Sequence, residues 1–174
     1  MTMQLASMED LQELEQLYEA LHHRLEQGTN YPGWRRGVYP VKETALKGIE
    51  AQTLYVAKQE GCIAGSVILN HEPELAYAGP PWQIETDNRE IFVVHTLVVH
   101  PRFSKLGIGG QLMEFARQEG IRQGMRAIRL DVYEHNLPAI QLYERSGYRY
   151  IDTVDLGLGQ YGLDWFRLYE LLLS

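Results

Sequence analysis

Apolar residues recur at three- and four-residue steps through residues 7–27 (Leu11, Leu14, Leu17, Tyr18, Leu21, Leu25), the period of a helix with one buried face. Ser7 with Asp10 three residues on predicts a capping-box start, and Gly28 a stop. Residues 29–40 read as a loop from their Pro and Gly content, yet carry Tyr31, Trp34 and Tyr39. A short helix at 42–50 leads into two strands, about 53–59 and 62–70, joined at Glu60-Gly61 as a hairpin. Residues 71–89 show no period and contain three prolines, the mark of a functional or disordered segment. Residues 91–99, IFVVHTLVV, predict a strand buried on both faces. Beyond them the chain alternates: helix 107–123, strand 127–133, helix 136–146, strand 148–155 and a last strand near 164–172. The pattern predicts a single α/β domain, in the α+β sense of a mixed sheet flanked by helices, over residues 1–174.

Composition narrows the function. The chain of 174 residues has no apolar run of the roughly 18 residues a membrane span needs, so no membrane partner is expected. Its start lacks the basic and apolar regions of a secretory signal, and Cys62 is its one cysteine. Both point to a cytoplasmic location. A net charge of −7 argues against nucleic acid. That charge is uneven: residues 1–27 carry six acids against Arg24, whereas 101–126 carry five bases against two acids. The acidic stretch reads as a solvated helix face. The basic one surrounds the sharpest motif in the chain.

That motif is LVVHPRFSKLGIGGQLMEFARQEG: strand, proline, glycine loop, helix. Gly107, Gly109 and Gly110 stand where the loop enters the helix, whose first N–H groups and partial positive charge suit an anion. A phosphate or pyrophosphate site is expected. Gln111 and Leu112 after the last glycine exclude a Walker loop, and Leu112 also excludes a dinucleotide fingerprint.

The pattern instead resembles the GNAT superfamily of acyl-CoA-dependent N-acyltransferases, whose pyrophosphate loop is Arg/Gln-x-x-Gly-x-Gly/Ala after a strand ending like Leu97-Val98-Val99-His100-Pro101. Here the loop is Ser104-Lys105-Leu106-Gly107-Ile108-Gly109, with serine in place of Arg or Gln and Lys105 beside it. A second block, NLPAIQLYERSGY, matches the family's signature at Asn136, Ala139, Leu142, Tyr143, Gly147 and Tyr148. The resemblance implies a central, mostly antiparallel sheet, splayed at the strand before the pyrophosphate loop. It further implies acetyl-CoA as co-substrate and a small amine or peptide amine as acceptor, with no metal. Implied cofactor contacts are residues 104–110, the backbone of Leu97, Val98 and Val99, and Asn136 with Tyr143, seven residues apart on one helix. The Tyr143 hydroxyl is the implied proton donor to the leaving sulfur.

An alkyl amine near pKa 10.4 must lose a proton before it attacks, at a cost of about 4.6 kcal/mol at pH 7. A base is therefore useful. Simple strand alternation places His95 with Ile91, Val93, Leu97 and Val99, and Glu90 with Phe92, Val94 and Thr96. His95, Glu90 and a water chain all stand as candidates. His22, His23, His71, His100 and His135 show no metal spacing. Tyr31, Trp34, Tyr39 and Trp82 are candidate acceptor-pocket walls or, equally, core anchors. The C-terminal strand, apolar at its end, suggests a free edge and a homodimer. A non-catalytic acyl-CoA-binding or regulatory domain is the rival reading.

Overall fold

The computed structural model describes residues 1–174. Its elements are β1 (Thr2–Leu5), α1 (Leu11–Gln27), α2 (Lys42–Glu50), β2 (Leu54–Gln59), β3 (Cys62–Asn70), β4 (Ile91–Val99), α3 (Ile108–Arg122), β5 (Ala127–Tyr133), α4 (Leu137–Arg145), β6 (Arg149–Val154) and β7 (Phe166–Leu172). One seven-stranded sheet runs in the order β1-β2-β3-β4-β5-β7-β6. It is mixed: β4 and β5 are parallel, while β1/β2, β2/β3, β5/β7 and β6/β7 are antiparallel. No helix is long and apolar enough to cross a membrane.

The chain divides into two compact units, Met1–Asn30 with Trp34–Leu69 and His95–Phe115, and Tyr31–Gly33 with Asn70–Val94 and Ala116–Ser174. In the first, Leu14, Leu17 and Tyr18 of α1 meet Ala45 and Ile49 of α2 over Leu54, Val56, Ile63, Ile68 and Val98. Each fully buried leucine there is worth about 1.5–3 kcal/mol. The Ser7–Asp10 box forms, with the Ser7 N–H donating to the Asp10 carboxylate at 2.9 Å, though residues 8–10 make a 3₁₀ turn before α1 proper. Glu60 and Gly61 take φ of 54° and 75°, the two left-handed positions of a tight primed turn, so β2 and β3 form the expected hairpin.

In the second unit, Tyr77, Ile91, Val93, Ala127 and Leu168 form the core, with Trp82 and Ile84 packed on it. The 71–89 segment is thus ordered by what it packs against. Trp82 Nε1–H donates to the Tyr77 carbonyl at 2.8 Å. Its ring carries the Arg129 guanidinium 4.4 Å from the ring centre.

Two expectations change. β1, too short and too polar to show a period, pairs with β2 across Thr2–Leu5. β7 is not an edge: β5 and β6 occupy both of its sides, which removes the reason for expecting a dimer through the C-terminal strand.

Candidate active site

Strand β4 leads into the glycine loop, and its regularity breaks part-way along. Phe92 faces α3, where it would lie 3.5 Å from a Cβ at Gly120. Val98, six residues on, lies instead in the cluster of α1 and α2. That cluster holds Leu54 and Val56, whereas Tyr55 between them packs on Phe115 of α3, so the two helical layers lie on opposite faces. An even spacing should keep Phe92 and Val98 on one face. The reversal occurs at Thr96, whose φ is +51°.

A β-branched residue there costs on the order of 1–3 kcal/mol. Thr96 is buried, and its Oγ1 is hydrogen-bonded to the Tyr39 hydroxyl. This reversal corrects the simple alternation. His95, ahead of it, continues the face of Ile91 and Val93; Leu97 and Val99, behind it, fall on the opposite one. The β4–β5 ladder covers only Ile91–Val93 with Ala127–Arg129, so residues 95–99 lie beyond the paired stretch.

After β4 the chain turns sharply into α3. The His100 N–H donates to the Ala64 carbonyl at 2.8 Å, and His100 Nδ1 accepts from the Arg102 N–H at 3.0 Å, capping a 3₁₀ turn over Pro101–Phe103. Partial burial, and Arg102 beside it, hold the His100 imidazole below its usual range. This histidine is a cap, a role with no metal or catalytic signal in the sequence.

Lys105 and Gly107 then take φ of 63° and 79°, so the backbone passes twice through the left-handed region on its way into α3. Ser104, Lys105 and Leu106 are exposed. Gly110 sits in the first turn of α3, where glycine costs about 1 kcal/mol against alanine, and a Cβ there would meet nothing within 4 Å. No packing inside the protein requires that glycine. By contrast Gly65 is required internally: its Cβ would stand 2.8 Å from the Val98 carbonyl.

The second sequence block opens at α4. Asn136 precedes α4 as its N-cap, with Oδ1 accepting from the Ala139 N–H at 3.4 Å. Its side-chain oxygen is therefore engaged by the helix, and the two-turn spacing to Tyr143 does not describe a shared helix face. Tyr143 is buried in α4, its ring 6.1 Å from that of Tyr148. Burial and the neighbouring Tyr143 push the Tyr148 hydroxyl far above its usual range.

Glu90 is not on the strand at all. It ends a 3₁₀ turn ahead of β4, exposed, with its carboxylate hydrogen-bonded to Thr86 and 3.7 Å from Arg126. Of the loop aromatics, Trp34 packs on the first core with its ring 5.6 Å from Tyr39, and Trp82 on the second. They are anchors. Tyr31 is exposed.

The sequence reading did not single out Tyr77 and Asp131. The Tyr77 hydroxyl donates to Asp131 Oδ2 at 2.6 Å. The available signal was an Arg and an Asp at alternating positions of an otherwise apolar strand, AIRLDVY.

A model of the Acetyltransferase (GNAT) family matches residues 11–148. A GNAT-family acetyltransferase of Streptococcus pneumoniae superposes with a TM-score of 0.70 at 20% identity, covering 99% of both chains. A ribosomal-protein-alanine N-acetyltransferase of Brucella melitensis gives 0.72 at 17% identity, covering 99% of this chain and 100% of its own. The yncA protein of Salmonella typhimurium, solved with its cofactor acetyl-CoA, gives 0.70 at 18% identity over 100% of this chain and 94% of that one. With the glycine loop and helix start in place, and a family match over most of its length, the chain belongs to the GNAT family of acetyltransferases.

Proposed function

We propose that this protein transfers an acetyl group from acetyl-CoA to the primary amine of an acceptor, by direct attack with both substrates bound. The observation that carries the reading is the loop before α3. Two left-handed residues and a first-turn glycine with nothing inside the protein against it fit a pyrophosphate better than any internal purpose. Backbone N–H groups of residues 107–110 would hold it, with Lys105 supplying the charge that Ser104 does not. The backbone of Leu97, Val98 and Val99, beyond the reversal at Thr96, would meet the pantetheine arm. Acetyl-CoA supplies an activated thioester carbonyl.

The amine nitrogen forms the new C–N bond as the C–S bond breaks. Tyr143 gives its hydroxyl proton to the departing sulfur, and the reference values for phenol and thiol put that transfer within about 2 kcal/mol of balance. His95 takes the first proton the ammonium loses, with Glu90, on the exposed turn ahead of β4, as the alternative base. The second proton, shed by the nitrogen as the amide forms, restores the Tyr143 hydroxyl. Cys62 has no part in direct transfer.

The test is a panel of amines with acetyl-CoA, read by thiol release, beside a melting curve with and without millimolar acetyl-CoA. A raised Tm with amine-dependent thiol release supports the transfer. A raised Tm with no release from any amine favours the acyl-CoA-binding domain, and no shift with any acyl-CoA overturns both.

A further inference from the structure

We propose that Tyr39 is a positioning residue for the cofactor: its hydroxyl, bonded to Thr96 Oγ1, holds the reversal in β4 that aligns the backbone of residues 97–99 with the pantetheine arm of acetyl-CoA. The inference rests on the proposed acetyl transfer and adds to it a residue outside both family blocks.

Thr96 takes φ of +51°, a region its branched side chain disfavours, and such a conformation persists only where the surroundings impose it. Two restraints are present, one on each side of residues 97–99. Behind them, the His100 N–H donates to the Ala64 carbonyl at 2.8 Å, and the Val98 carbonyl lies against Gly65, 2.8 Å from where its Cβ would stand. That restraint is backbone on backbone. Ahead of them the restraint is made by side chains, Thr96 Oγ1 with the Tyr39 hydroxyl. Thr96 is 7% exposed, so removing Tyr39's oxygen leaves its hydroxyl buried without that bond.

Tyr39 can impose a conformation on Thr96 because its own position is fixed from the other side. Its ring meets Trp34 edge-on at 5.6 Å, and Trp34 packs on the core of α1 and α2. Asn30 Nδ2 donates to the Trp34 carbonyl at 2.8 Å. The next residue, Pro40, accepts at its carbonyl from Nε2 of His22, a buried residue of α1, at 2.9 Å. Arg36 pairs with Glu26 at 2.7 Å and also with Glu19, both on α1. The loop before α2 is thus tied to α1 at several points and reaches β4 through Tyr39. These residues, Thr96 and residues 97–99 all belong to one compact unit.

Residues 97–99 therefore span two fixed points, Thr96 and His100. With both in place, their N–H and C=O groups keep one direction. Once Thr96 is released it relaxes toward the extended region, and the groups that follow it rotate. The glycine loop lies beyond the His100 restraint, which Tyr39 does not touch. Loss of the Tyr39 bond should weaken the hold on the pantetheine arm and spare the nucleotide end.

Calorimetry with two ligands tests this: acetyl-CoA, and adenosine 3′,5′-bisphosphate, the nucleotide end of the cofactor without its arm. The proteins are wild type, Y39F, T96V, T96S, T96G and Y39F/T96G. Y39F and T96V each remove one partner of the bond and should raise Kd for acetyl-CoA about 5- to 20-fold. Their Kd for the bisphosphate should stay within about twofold, whereas a general structural loss would weaken both ligands. T96S keeps a hydroxyl and should bind acetyl-CoA more tightly than T96V. Glycine takes a positive φ unaided, so adding Y39F to T96G should change Kd for acetyl-CoA by less than about twofold. An unchanged acetyl-CoA Kd in Y39F and T96V, an equal loss of both ligands, or a full Y39F effect on T96G overturns the inference and leaves acetyl transfer standing. A wild type that binds no acetyl-CoA overturns the transfer, and the inference with it. Should Y39F melt well below the wild type, T96V against T96S decides: weaker acetyl-CoA binding in T96V alone supports the role, and equal binding refutes it.

Discussion

Arg129 and Glu170 face each other across β5 and β7 at 2.7 Å, with side chains 7% and 0% exposed, and two backbone groups of the 71–89 segment complete the pair. The Gln83 N–H donates to Glu170 Oε1 at 2.7 Å, and the Ile84 carbonyl accepts from Arg129. Burying two charges is expensive unless the remaining donors and acceptors are satisfied, and here the loop backbone satisfies them. Loop order and ion pair depend on each other.

Glu170→Gln should therefore destabilise the protein by about 3–5 kcal/mol, because it leaves the Arg129 charge buried against a neutral amide. Tm should fall on the order of 10 °C. Limited proteolysis should find new cleavage within residues 75–87. Joint replacement, Arg129→Met with Glu170→Leu, should recover only part of the loss, since Gln83 and Ile84 still lose their partners. A Tm within 2 °C or so of wild type for Glu170→Gln would contradict the pair's anchoring role.

Gly110 separates ligand binding from folding. A Cβ there meets nothing, so Gly110→Ala should raise the Tm of the free protein slightly, by up to about 1 kcal/mol of helix propensity. Gly110→Asp should leave the free protein folded, because an acid in the first turn suits the helix dipole, yet abolish the acetyl-CoA-dependent rise in Tm. An undiminished shift in Gly110→Asp would place the pyrophosphate elsewhere.

Removing one hydroxyl tests the proposed acid. Tyr143→Phe should lower kcat by about 10²-fold or more while acetyl-CoA still raises Tm as in the wild type. A normal kcat returns Tyr143 to the status of a core residue beside Tyr148.

His95→Ala should remove the acidic limb of the pH–rate profile and cost most with strongly basic amines. Amines near pKa 8 need about 3 kcal/mol less to deprotonate than those near 10.4. Equal losses across amine basicity, on an unaltered profile, would show that His95 is not the base.

His100 predicts a pH-dependent stability of definite sign. Its imidazole is held below the ordinary range in the folded state, so the unfolded chain binds the proton first. Stability should fall as pH is lowered through about 6.5, where an unconstrained imidazole titrates. The protonated ring also loses the Nδ1 acceptor that caps Arg102. His100→Asn removes the titration, so its Tm should decline less between pH 7 and 5.5. Parallel curves would argue against His100 as the titrating cap.

The sequence by itself determined what is local. Sequence patterning marked α2, β2 to β5 and α3 to within two residues, and the end of α1, whose start lies four residues later than expected, because burial of one face imposes a spacing. The Ser7 box, the Glu60-Gly61 turn and the glycines entering α3 were equally legible, since each depends on a few neighbouring residues. The family followed from two such blocks in order.

What tertiary structure alone decided involves partners far apart in the chain. β1 exists because β2 offers it an edge, and β7 is interior because β6 pairs outside it. Thr96 turns left-handed where the Tyr39 hydroxyl, 57 residues away, meets its own, and this put Leu97 and Val99 on the face that simple alternation denied them. Asn136 became a cap and Glu90 a surface ion-pair partner, roles that spacing does not specify. Tyr77 reaches Asp131 across 54 residues. A hydrogen bond has no period. Two residues so distant in sequence become neighbours only when burial of the whole chain brings their strands and loops together.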